Sequence, residues 1–221
     1  MMRTLSLLSA CLLAATVVAS AQSSSTPIEN DSVRVLDVTV QPHQKTKMHE
    51  HKVNRVMVYL DAGKQHFTWQ DGHQSDLQWK AGEAVWSPAG GMHVAEIMSD
   101  KPVRILEVEL KKPGAGKSPS GPAKDPLTAA PKNYHKLFEN DQVRVTHVHF
   151  APGESVPLHE HATNRVTVLL TDQDFRVTTA DGQVQTPKKK AGDVTWGTPA
   201  THKEENLSKQ PCDIVMIDLK Y

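Results

Sequence analysis

The sequence predicts an all-β chain folded as two jelly-roll barrels in tandem. Three observations carry that prediction. A set of short motifs recurs 110 positions further along; each copy is written in short alternating runs rich in β-branched residues; and no segment shows a long helical period. Small sheets of this kind limit their exposed edges by closing on themselves.

The repeat is dense. Glu29-Asn30-Asp31 with Val33-Arg34-Val35 returns as Glu139-Asn140-Asp141 with Val143-Arg144-Val145. The same offset carries His49-Glu50-His51 onto His159-Glu160-His161, Asn54-Arg55-Val56 onto Asn164-Arg165-Val166, and Asp71-Gly72 onto Asp181-Gly182. Toward the end of each copy the offset falls to 109, with His93 matching His202 and Leu110-Lys111 matching Leu219-Lys220, so one residue has been lost. Runs such as Val33/Val35, Val56/Val58 and Val166/Val168 read as strands, and the Asp-Gly pairs predict hairpin turns of type I′. The expected organisation is a signal segment at 1–21, a first domain at 27–111, a Pro/Gly/Ala/Lys-rich linker at 112–132 and a second domain at 133–221.

The N-terminus has the form of an export signal: Arg3, an apolar stretch at 5–18, and the small-residue site Ala19-Ser20-Ala21. A lipoprotein-like box, Leu8-Ser9-Ala10-Cys11, precedes most of the apolar stretch, where a lipoprotein signal would have it follow. The expectation is a periplasmic or secreted protein that leaves the membrane once the signal is cleaved. Only Cys212 would then remain, which rules out an intramolecular disulfide. Charge is balanced, with 25 basic and 25 acidic residues, and aromatic residues make up 5%, so neither an electrostatic nor a stacking surface for nucleic acid is expected.

Residues two apart on a strand share a face, so His49 and His51, and again His159 and His161, would project together. With these pairs in hand, the sequence resembles the cupin superfamily, specifically a bicupin of two double-stranded β-helix barrels. The family's first motif contains H-x-H. Its second has Gly, five residues, Pro, one residue, Gly, two residues and His, which the first copy meets in full with Gly82, Pro88, Gly90 and His93. The second copy keeps Gly192, His202 and the family's Asn at Asn206, but is one residue shorter, with Pro199 displaced. The resemblance implies that His93 and His202 complete two metal sites. Three neutral imidazoles with open positions suit a divalent transition metal, whether Fe, Mn, Cu, Ni or Zn.

The chain departs from the family at one position. The usual fourth ligand is a Glu shortly after the second His of the pair, and both copies have Arg there, Arg55 and Arg165. Strand parity turns each Arg toward its histidines. At about 6 Å and an effective dielectric of about 20, a guanidinium opposes a divalent ion by roughly 5 kcal/mol. An anion between them would relieve this, whether a protein carboxylate or a substrate carboxylate held by the forked donors. Glu96 and Glu205 each follow the third His by three residues, but alternation turns them outward, which favours a salt-bridge role. Glu204 has the inward parity, though its counterpart is Ala95.

The leading functional expectation is a metal-dependent, dioxygenase-like enzyme acting on a small anionic molecule, with Arg55 or Arg165 anchoring the anion and a cupin-type isomerase as a close variant. A non-catalytic exported binder of a transition metal or an organic anion is the alternative. A homodimer through barrel edges fits the family, but no residue pattern requires one.

Overall fold

A computed structural model describes residues 23–119 and 124–221; the expected signal at 1–21 lies outside them. The first copy contributes β1 (Ser23–Glu29), β2 (Val33–Val40), β3 (His49–His51), β4 (Arg55–Tyr59), β5 (Gly63–Trp69), β6 (Gln74–Trp79), β7 (Ala84–Ser87), β8 (Gly90–Ile97) and β9 (Val103–Leu110). A single-turn helix, α1 (Pro126–Ala129), lies within the segment expected to be a structureless linker. The second copy follows with β10 (Tyr134–Glu139), β11 (Val143–Phe150), β12 (Ser155–His161), β13 (Arg165–Leu169), β14 (Gln173–Thr179), β15 (Val184–Gln185), β16 (Lys188–Lys189), β17 (Val194–Gly197), β18 (Ala200–Asn206) and β19 (Cys212–Leu219).

Each copy is two antiparallel sheets. The five-stranded sheets run β1-β2-β9-β4-β7 and β10-β11-β19-β13-β17; the smaller ones run β3-β8-β5-β6 and β12-β18-β14-β15, with β16 also on β14. Alternation sorts the side chains. On β4, Val56 and Val58 turn outward while Arg55, Met57 and Tyr59 turn into the barrel, and β2, β9, β13 and β19 follow the same rule. The outward valines of the two large sheets meet, so Val33, Val56 and Val108 of one copy share a single core with Val143, Val166 and Ile217 of the other. Each such side chain contributes about 1.5–3 kcal/mol by leaving water, so the two barrels are bound by a shared core as well as by the linker.

Two repeated motifs find their cause here. The Asn30 side-chain oxygen accepts from the backbone N–H groups of Ser32 and Val33 at 2.8 and 3.0 Å, and Asn140 does the same for Gln142 and Val143 at 2.9 and 3.0 Å. These Asx turns set the entry into β2 and β11. The Asp-Gly pairs do make hairpins, but not of the expected type I′. Gly72 and Gly182 have φ of 87° and 86° while neither Asp has positive φ, and the N–H of Gly72 donates to Trp69 O at 3.0 Å. That is a three-residue loop with glycine alone in the left-handed region, since only the last position needs it.

The lost residue also has a structural consequence. In the first copy His49 pairs with His93 but His51 pairs with Gly90, a bulge carried by Gly90 and Gly91, both at positive φ. In the second copy His159 pairs with His202 and His161 with Ala200, in unbroken register there. The strand carrying the pair is correspondingly three residues long in the first copy and seven in the second.

Candidate metal centres

In each copy the H-x-H strand and its neighbour bring three imidazoles into one barrel: His49, His51 and His93 in the first, His159, His161 and His202 in the second. Within each triad one ring nitrogen per residue lies within 4.8 Å of the others. Backbone carbonyls orient the rings. His49 Nδ1 donates to Lys47 O at 2.8 Å and His159 Nδ1 to Pro157 O at 3.0 Å, equivalent positions of the repeat, and His93 Nδ1 donates to Gly91 O at 2.7 Å. Fixing Nδ1 as the donor leaves Nε2 with its lone pair facing inward, the form a metal requires.

Burial favours the neutral form of several of these rings. It pushes His51 down to about 3, with the Arg55 charge adding to it, and it lowers His93 and His202 and drives His161 well below the usual imidazole range. The donor set fits a transition ion on a further count. His161 Nδ1 and His202 Nε2 are buried without a hydrogen-bond partner, a condition that costs about 1–3 kcal/mol for each such group and that ligation would relieve at the nitrogen it engages.

Both arginines point into their barrels, and there the copies part. Arg55 is buried and its charge is already paired, Nη1 donating to Glu107 at 2.7 Å and Nη2 to Ser87 Oγ at 2.8 Å. The anion expected beside it is therefore a protein carboxylate. In the second copy Met216 replaces Glu107 and Gly197 replaces Ser87. Arg165 lies across Gly197, where a Cβ would sit 2.9 Å from its Cγ and Cζ, and donates from Nη1 to the Thr198 carbonyl at 2.8 Å. Among the described residues no carboxylate is within ion-pair distance of it. Burial opposes its charge, and the more distant Asp218 and Glu204 partly offset that.

Glu96 and Glu205 face away from the triads. Glu96 pairs with Lys45 at 3.0 Å and Glu205 with Arg176 at 2.6 Å, as alternation requires. Glu204 takes the inward place: Oε2 accepts from the Tyr134 hydroxyl at 2.9 Å and lies 4.0 Å from His159 Nε2, and Oε1 is 3.8 Å from His202 Nε2. Burial raises its pKa, but the three imidazoles and Tyr134 outweigh that and hold it below the usual carboxylate value. Tyr134 also reaches His159 Nε2 at 3.2 Å. Sequence reasoning missed Tyr134, whose repeat counterpart is the small Ser24, so periodicity gave it no signal.

A second pair recurs behind the histidines. Arg34 meets Glu109 at 2.6 Å, and Arg144 meets Asp218 through Nε and Nη2 at 3.2 and 3.1 Å, with Nη1 on Asp125 of the linker segment at 2.5 Å. Asp218 Oδ1 lies 3.8 Å from His161 Nδ1, and burial pushes this carboxyl up to about 6 despite Arg144. The linker further covers the edge of β12, with Glu160 and Ala162 N–H groups donating to Lys124 and Pro119 carbonyls at 2.9 and 2.5 Å. The two cavities differ accordingly, about 500 Å³ in the first copy and about 310 Å³ in the second.

Comparison with known proteins agrees with this architecture. Residues 36–109 match the family model described as the cupin domain. No curated protein sequence matches the chain. Among solved structures, AerE from Microcystis aeruginosa is similar at a TM-score of 0.67 and 12% identity, over 92% of this chain and 94% of that one. Oxalate decarboxylase from Bacillus subtilis is similar at 0.62 and 15%, over 89% and 71%. A cupin 2 conserved barrel domain protein from Leptotrichia buccalis is similar at 0.55 and 14%, over 93% and 92%. Identities this low speak for the fold. With the model match over the first copy and the same sheet order repeated in the second, the chain has the fold of two cupin barrels in tandem.

Proposed function

We propose that this chain is an exported, metal-binding bicupin in which each histidine triad holds a divalent transition ion. We assign to the second copy a dioxygenase-like reaction on a small anionic molecule. The observation that carries the reading is the convergence, in one barrel, of three buried imidazoles, two with a ring nitrogen lacking any hydrogen bond, beside an arginine with no carboxylate partner among the described residues. His159, His161 and His202 would hold the ion, which supplies Lewis acidity toward a bound oxyanion. Arg165 would bind and orient the substrate carboxylate with the donors that its Thr198 contact leaves open. The smaller of the two cavities would leave less room for water, which would strengthen both interactions. The fold is shared with a protein named for oxalate, itself a small carboxylate.

The first copy favours the other reading, a non-catalytic metal binder, because Glu107 already occupies Arg55. The test is elemental analysis of the full chain recovered from the export compartment, followed by a substrate screen with the ion identified. Near-stoichiometric metal that falls by one equivalent in each of His49→Ala and His159→Ala is the expected result. Consumption of a small carboxylate by sub-stoichiometric protein, lost in Arg165→Ala, supports the enzyme; saturation without turnover supports the binder. Protein that takes up no Fe, Mn, Cu, Ni or Zn overturns both.

A further inference from the structure

We infer that Glu204 is a fourth metal ligand in the second copy, supplied from β18 because Arg165 occupies the β13 position from which the family draws its carboxylate. This rests on the triads binding metal. Two donors that share one ion at about 2.0–2.2 Å lie roughly 3.0–4.2 Å apart as the angle between them opens. Glu204 meets that condition once through each oxygen, Oε1 lying 3.8 Å from His202 Nε2 and Oε2 4.0 Å from His159 Nε2. The division of labour within the carboxylate also fits. Tyr134 donates to Oε2 and fixes the group, leaving Oε1 facing His202 Nε2, the buried nitrogen without a partner. Two other groups that could compete for Glu204 are engaged elsewhere: Arg165 is drawn to the Thr198 carbonyl, and neighbouring Glu205 takes Arg176.

The first copy has no equivalent. The β8 position matching Glu204 is Ala95, which faces the same cavity as His49, His51 and His93, and Ser24 stands where Tyr134 would be. The two copies therefore offer different donor sets, three nitrogens in one and three nitrogens with a carboxylate in the other. Hard, oxygen-preferring ions such as Mn(II) should partition toward the second copy.

The test is cobalt binding by the full chain, measured by chelator competition and by visible absorption. With the first copy silenced by His49→Ala and His51→Ala, Glu204→Gln should weaken cobalt binding by at least about ten-fold, a loss that even outer-shell changes to a metal site produce. The ligand-field bands should shift with it. In the opposite background, with His159→Ala and His161→Ala, Ala95→Glu should strengthen binding by the first copy, which keeps the test decisive if Glu204→Gln does not fold. Unchanged affinity and spectrum in Glu204→Gln, or no gain from Ala95→Glu where Glu204→Gln fails to fold, overturns the inference while the triads keep their metal and the proposed function stands. A chain that binds no cobalt in either copy overturns both.

Discussion

The two copies share a scaffold almost residue for residue and differ in what surrounds the histidines. In the first, the H-x-H strand is short and its pairing bulged, His93 is buried but His49 and His51 only partly so, and the inward arginine is paired with Glu107. In the second, the strand is longer and pairs in register at its histidines, His159 and His161 are almost wholly buried, the arginine has no carboxylate within ion-pair distance among the described residues, and the acid stands at Glu204 beside the triad. A duplicated barrel keeps its outward valines because both copies need them for the shared core. The inward positions carry no such joint constraint and can diverge. The difference is thus one of carboxylate placement and enclosure, with the histidines held constant.

The sharpest way to break the comparison is the ion pair that both copies retain. Arg144 is 4% exposed and bonded to Asp218 and Asp125, whereas Arg34 is 45% exposed and bonded to Glu109. Removing one partner of a buried pair leaves a charge without compensation, at a cost of about 3–5 kcal/mol, while an exposed pair contributes about 0–1 kcal/mol. Arg144→Ala should therefore lower the midpoint of denaturant unfolding strongly, and Arg34→Ala, which removes a solvent-open guanidinium but leaves a mostly buried Glu109, by less. Equal effects would show that the enclosure of the second copy has no energetic meaning. Because Arg144 joins the linker to Asp218, Arg144→Ala should also expose the segment around Asp125 to proteolysis.

A smaller effect is expected from the ion. At free metal about 100 times its dissociation constant, each occupied site adds about 2.7 kcal/mol to stability, so chelation should lower the unfolding temperature in two separable steps when copies are silenced singly. The first site has its own reporter. Trp69 lies with its ring 5.0 Å from the His93 ring, and the second copy has Thr179 in its place. Cu(II) binding to the first copy should quench Trp69 emission, and the quenching should vanish in Trp69→Phe while binding persists. Quenching that survives His49→Ala with His93→Ala would assign it elsewhere.

Much of this was legible beforehand because it depends on period and repetition. Strand alternation turned Arg55 and Arg165 inward and Glu96 and Glu205 outward, and the repeat paired every histidine of one triad with its counterpart. What was not legible depends on contacts between distant segments. Nothing local marks Glu107 as the partner of Arg55, since the two residues are 52 positions apart and meet only through the pairing of β4 with β9. Tyr134 has no repeat counterpart of its kind, and the turn around Asp71 took a three-residue form that the dipeptide alone does not distinguish from a two-residue one. The linker's composition likewise gave no sign that its backbone would pair along β12.

The smallest expected effect sharpens the comparison most at the site. Glu204 and Glu205 are adjacent, carry the same charge and differ by one step of strand alternation. Glu205 is bonded to an Arg176 whose side chain is about half-exposed, and Glu96 to a still more exposed Lys45. Glu205→Gln and Glu96→Gln should each change stability by less than about 1 kcal/mol and leave cobalt affinity within error. Charge at a distance acts on both members of the 204/205 pair nearly alike, whereas ligation and burial act on one. If Glu205→Gln weakened metal binding as much as Glu204→Gln, the carboxylate would be acting through the general field of the barrel mouth, and the relocation of the acid from β13 to β18 would have no special bearing on the ion.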